Sequence, residues 1–69
     1  MDEDIAKEII RVRLLKATEV AEILNVSKAM AYQLMKQHKI PTVHIEGARR
    51  VRPVDLISYI EQNLTPTIY

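Results

Sequence analysis

Between a helix-ending signal at Asn25 and a helix-starting signal at Ser27 lies a single residue, Val26, and this spacing constrains the fold more than any other feature of the chain. Upstream, Thr18 is expected to cap a helix whose first turn carries Glu19, an acidic residue suited to the positive end of the helix dipole. Val20, Ala21, Ile23 and Leu24 supply its apolar stripe. Asn25 tolerates the left-handed backbone that stops it. Ser27 then opens a second helix through Lys28 to Gln37, with Ala31, Leu34 and Met35 inward at i, i+3, i+4 spacing. Two helices so closely joined must cross at a sharp angle, and Ala21 is small enough to let them do so. Val20, Leu24, Val26, Ala31 and Leu34 hold the pair together, and Pro41 forbids continuation. The result is a helix-turn-helix.

Downstream the periodicity changes. Thr42–Ile45 and Arg49–Arg52 alternate and are β-branched, and Glu46-Gly47-Ala48 between them holds the only glycine in the chain. This predicts a hairpin whose turn uses positive φ at Gly47. Val43 and Ile45 are expected on one face, joined by Val51. Pro53 and Asp55 mark a final helix start, and Leu56, Ile57, Ile60 and Leu64 are expected as its buried stripe. The opening stretch reads two ways. Ile5, Ile9 and Val12 have helical spacing, whereas Ile10 to Leu14 alternate like a strand. A helix that turns extended near Val12 accommodates both. The fold class expected is mainly α with a small β-hairpin, a winged helix-turn-helix over residues 14–64, with an extension at 1–13 and a tail at 65–69.

A chain of 69 residues without Phe, Trp or Cys has to build one thin aliphatic core with no disulfide or thiolate metal site. His38 and His44 lack a third ligand at zinc-site spacing, so neither a metal nor another cofactor is expected. No apolar run approaches membrane-spanning length, and Asp2-Glu3-Asp4 after Met1 is the reverse of a secretory start, so a cytoplasmic location is expected. The net charge of +1 conceals a strong division. Residues 27–52 carry six Lys or Arg against Glu46 alone, and both flanking stretches are net acidic. A basic centre between acidic flanks fits a polyanion-binding surface, although a solvated basic face would look the same.

On the second helix, Ser27, Lys28, Ala29, Tyr32, Gln33 and Lys36 share the face opposite Ala31, Leu34 and Met35. In a DNA major groove that face would meet base edges and phosphates. Gln33 is the candidate for base readout, because its amide can pair two-fold with adenine. Ser27, Lys28 and Lys36 suit phosphates. Tyr32 offers a hydroxyl to a phosphate or a ring to a thymine methyl, against the plainer option of packing under the wing. Arg49, Arg50 and Arg52 would carry the wing onto the backbone or into a neighbouring minor groove, although Arg52 could instead pair with Asp55 or Glu61. Met30 and Met35 are read as core filler. His44 and Glu46 share a strand face, but without a nucleophile or pocket they make no active site, and no catalytic residue is expected.

The stretches LLKATEVAEILNVSKAMAYQLMKQHKIPTVHI and EGARRVRPVDLISYIEQN resemble the excisionase-family DNA-binding domain, a winged helix-turn-helix related to MerR-type regulators. The correspondence runs through Leu15 and Thr18, Ala21, Val26-Ser27, Tyr32, Lys39-Ile40-Pro41, Gly47-Ala48-Arg49-Arg50 and Asp55-Leu56. The chain departs at Asn25 and His38, where the family commonly has glycine. The resemblance implies double-stranded DNA as partner. It further implies a factor of a phage or mobile element that lines up cooperatively on adjacent sites, bends DNA and assists a recombinase (integrase). A small transcriptional regulator would use the same domain. A winged-helix module that binds protein, through Ile5, Ile9 and Val12, is a third reading.

Overall fold

The computed structural model describes residues 13–65, so the expectations for the N-terminal helix and for the end of the tail fall outside the described residues. In chain order the elements are α1 (Ala17–Leu24), α2 (Lys28–Lys36), β1 (Val43–Ile45), β2 (Ala48–Arg50) and α3 (Pro53–Gln62). The fold is a small winged helix-turn-helix, with three helices and a two-stranded antiparallel hairpin.

The turn between α1 and α2 forms as its residues dictate. Asn25 adopts φ 57° and ψ 47°, ending α1 in the left-handed conformation. Ser27 is extended and accepts a hydrogen bond from the Met30 N–H at 3.1 Å, capping α2. The start of α1 differs from expectation. Lys16, not Thr18, is the extended residue ahead of the helix, and the Glu19 carboxylate reaches back to accept from the Lys16 N–H at 3.0 Å. Glu19, at the third helical position, thus satisfies the backbone donor of the residue ahead of the helix, the carboxylate half of a capping box. Thr18 lies within the first turn.

Val20, Ala21, Ala31, Met35, Ile40, Val51 and Leu56 form the core, with Leu15, Leu24, Val26, Leu34 and Tyr59 partly buried against it. All the residues expected to hold the helix pair are here. Ile23 and Met30 are not, since each is 53% exposed. Met35 alone of the two methionines fills the core.

Past α2, His38 takes φ 59°, which redirects the chain so that Ile40 can be buried. The hairpin turn is a two-residue one. Glu46 and Gly47 have φ 45° and 88°, the paired positive values of a type I′ turn. Ala48 therefore opens β2, and the register pairs Val43 with Arg50, His44 with Arg49 and Ile45 with Ala48. The shorter turn corrects the expected strand face. By alternation Val43, Ile45, Ala48 and Arg50 share one side, and Arg49 and Val51 share the other. Val51 accordingly enters the core without Val43 and Ile45, and Ile45 is 50% exposed. Val51 also bridges back to Leu15 through two antiparallel hydrogen bonds of 2.8 and 2.9 Å, tying the entry to α1 against the wing.

α3 begins at Pro53, whose missing N–H is harmless there. Of its expected stripe only Leu56 is buried, with Tyr59 half-buried beside it. Ile57, Ile60 and Leu64 are exposed, as is Val54. The core grips one edge of a wide apolar face because the wing delivers α3 with Leu56 and Tyr59 inward.

Two substitutions test this account. His38→Gly should raise stability by about 0.5–1 kcal/mol, because glycine accepts the left-handed backbone without the Cβ penalty. Ala31→Leu should lower it by about 1–3 kcal/mol through overpacking. Thermal and urea denaturation measure both, and a neutral Ala31→Leu would mean the helix pair is looser than drawn here.

Candidate nucleic-acid interface

Ser27, Lys28, Ala29, Tyr32, Gln33 and Lys36 are all exposed. The helical period places Ala29, Gln33 and Lys36 away from the buried Ala31 and Met35, with Tyr32 at the edge of that face. Lys28, three residues before Ala31 and seven before Met35, stands on their side in the first turn, and Ser27 is the cap ahead of it, so the six do not share one face as expected. The Gln33 amide oxygen accepts only a long 3.4 Å hydrogen bond from the Gln37 Nε2, so its recognition edge is almost unengaged. Tyr32 is 48% exposed, neither a free side chain nor a core one. It lines a crevice of about 290 Å³ where α2 meets the wing and the start of α1. Lys28 and Lys16 border the same crevice, with Arg49 and Arg50 from β2.

The three wing arginines have distinct surroundings. Arg50 donates from Nη1 to the Arg49 carbonyl at 2.8 Å and is part-buried. Arg49 shares the Val51 side of β2 and so turns toward the body of the domain. Its Nη1 is buried and has no hydrogen-bond partner among the described residues. Arg52 precedes α3 and grips Asp55 with two hydrogen bonds, Nε to Oδ2 at 2.6 Å and Nη2 to Oδ1 at 3.0 Å. Those bonds, reinforced by the guanidinium charge, hold the Asp55 carboxyl below its ordinary value, and Arg52 is raised in turn. Arg52 is therefore tied to the first turn of α3, while Arg49 and Arg50 remain without carboxylate partners among the described residues.

A second ion pair, Arg13 with Glu19, stands ahead of α1. The Lys16 N–H is the chief cause of the lowered Glu19 pKa, with the charges of Arg13 and Lys16 adding to it. The sequence reading did not single out Lys16. Its role at the crevice depends on the Leu15–Val51 bridge, which pairs residues distant in sequence and leaves no local signal.

A family model described as a helix-turn-helix domain matches residues 14–64. The chain belongs to this family, one of excisionase-like DNA-binding domains. No curated protein and no solved structure matches it. Membership supports sequence-specific DNA binding, with DNA as the partner. Among the described residues no helix is long and apolar enough to cross a membrane.

The Arg52–Asp55 pair gives a pH prediction. A carboxyl with a depressed folded-state pKa contributes stability that is present above its unfolded value, about 3.9, and lost as pH falls through the folded value. Asp55→Asn should therefore lower stability at neutral pH and flatten its decline in acid below about pH 4. Denaturation midpoints measured across that range check this, and an unaltered acid decline would show that the pair does not couple to folding.

Proposed function

We propose that the protein is an excisionase-like recombination directionality factor of a phage or mobile element, reading DNA through α2 and steadying itself with the wing. The observation that carries this reading is the continuity of one exposed, basic and polar surface from α2 to β2, in a domain of the excisionase-like family. α2 would enter the major groove with Gln33 reading a base. Ser27, Lys28 and Lys36 would meet phosphates, with Ala29 close to the groove floor. Arg49 and Arg50 would bring the wing to the adjacent backbone, with Arg52 a lesser contributor because Asp55 already occupies it.

Single modules of this kind bury only about 600–1,000 Å² of protein surface on DNA. With a net charge of +1, one copy gains little long-range attraction. α3 has 10 residues and so does not itself serve as the long coiled-coil dimerisation helix of MerR-type regulators. Function therefore calls for several copies on adjacent, directly repeated sites, with cooperative contacts between neighbours and bending of the DNA to assist an integrase. The uncovered aliphatic side chains of α3 supply apolar area for such contacts.

Gln33→Ala should cost roughly 1–3 kcal/mol on the preferred duplex and little on random DNA. Equal losses on both would assign Gln33 to backbone positioning. The assembly reading is checked by titrating one-site and two-site duplexes and by sedimentation of the free protein. Cooperative filling of paired sites is expected, with Ile57→Glu reducing the cooperativity but sparing one-site affinity. A tight free dimer or independent filling would defeat it. In a reconstituted reaction the protein should turn its cognate integrase toward excision. DNA binding with no effect on recombination would favour a transcriptional regulator.

A further inference from the structure

The crevice between the start of α1, α2 and the wing is bordered by cations that have no carboxylate beside them among the described residues. Lys16, Lys28, Arg49 and Arg50 line it, and among the described residues no Asp or Glu does. Arg49, one of these lining residues, has its Nη1 buried without a hydrogen-bond partner among the described residues. A guanidinium stays charged throughout the pH range of a folded protein, so it cannot escape the cost of burial by losing its proton, as a lysine can. A buried, unpaired cationic N–H calls for an anion.

The geometry points to an anchoring site for one DNA phosphate in this crevice, held by Arg49, whose guanidinium would turn to meet it, and by the exposed Lys16. The assignment rests on the DNA-binding reading and adds to it a specific phosphate and a residue outside both the recognition helix and the wing. A phosphodiester suits the position because the crevice lies between Lys28 and Tyr32 of the reading helix and Arg50 of the wing. These are the two elements expected to straddle one backbone strand. Tyr32, which also lines the crevice, carries a neutral donor in its hydroxyl. Lys16 reaches the site only because Leu15 is bridged to Val51, the neighbour but one of Arg49 along the strand. An electrostatic surface of loosely placed lysines would weaken evenly when any one phosphate is neutralised. A built site makes one phosphate matter far more than its neighbours.

The experiment uses a duplex selected from a random pool by the wild-type protein, with uncharged methylphosphonate placed at one backbone position at a time. Wild-type affinity should fall about tenfold at one position, the loss expected for a charge-assisted hydrogen bond. Arg49→Met should erase the sensitivity at that position alone and reduce the slope of log K against log salt by about 1. Lys16→Ala, at an exposed residue, should diminish the same sensitivity and no other. Free Arg49→Met protein should melt at the same temperature as wild type or higher, whereas a merely structural arginine would lower it. The assignment is overturned if Arg49→Met and wild type respond alike at every position, or if neutralisation costs the same everywhere while DNA is still bound. If no duplex binds but inorganic phosphate raises the melting temperature of wild type and not of Arg49→Met, the crevice is a free-anion site. In that case the DNA-binding reading falls as well.

Discussion

The rest of the domain depends on how closely α1 and α2 can approach, and small side chains set that distance. Ala21 on α1 and Ala31 on α2 are both buried in the shared core, next to Val20 and Met35. Small residues here let two short helices share one thin core without a large aromatic between them. The left-handed Asn25 and the Ser27 cap fix the angle at which the second helix departs. Once Ala31 and Met35 face inward, the outward placement of Tyr32, Gln33 and Lys36 follows from the helical repeat. The exposed polar face of α2 is thus a consequence of the core, and little of its own chemistry is needed to hold it in place.

The parts of the fold legible in the sequence were those encoded by neighbours. The Asn25 stop, the Ser27 cap and the glycine turn each depend on a few adjacent residues, and each stands where the sequence placed it. The errors share a different origin. Thr18 lost the cap position to Lys16 because the Glu19 carboxylate reaches back to the Lys16 N–H and starts the helix two residues earlier. The wing faces were reversed for Val51 because a two-residue turn replaced a three-residue one, and one residue of register flips every side chain. α3 has more apolar positions than one core edge can cover, so periodicity could say that the helix had an apolar face but not which half would be buried. The Leu15–Val51 bridge, and with it the position of Lys16, had no local signature at all.

The wing arginines show how three identical side chains within four residues come to different ends. Alternation sets Arg49 and Arg50 on opposite faces of β2, although both border the crevice, while Arg52 lies at the helix boundary and finds Asp55 at i+3. Sequence composition counts them as three equal positive charges. Backbone geometry makes one a partner of the helix start, one a part-buried surface cation and one a side chain whose buried Nη1 has no acceptor among the described residues. The basic centre of the chain is therefore less uniform than its charge suggests.

The bridge between Leu15 and Val51 also orders events in time. It closes a loop that contains both helices of the reading motif and both strands of the wing. Joining such distant residues costs chain entropy that is recovered only when the intervening elements are already compact. The helix pair and the hairpin can each begin from local contacts, but the bridge and the burial of Val51 must wait for them. Late in folding, then, the segment around Leu15, the wing and the base of α3 should come together. The side of the domain that gathers its cations is completed last, and it should be the first to open when the native state fluctuates.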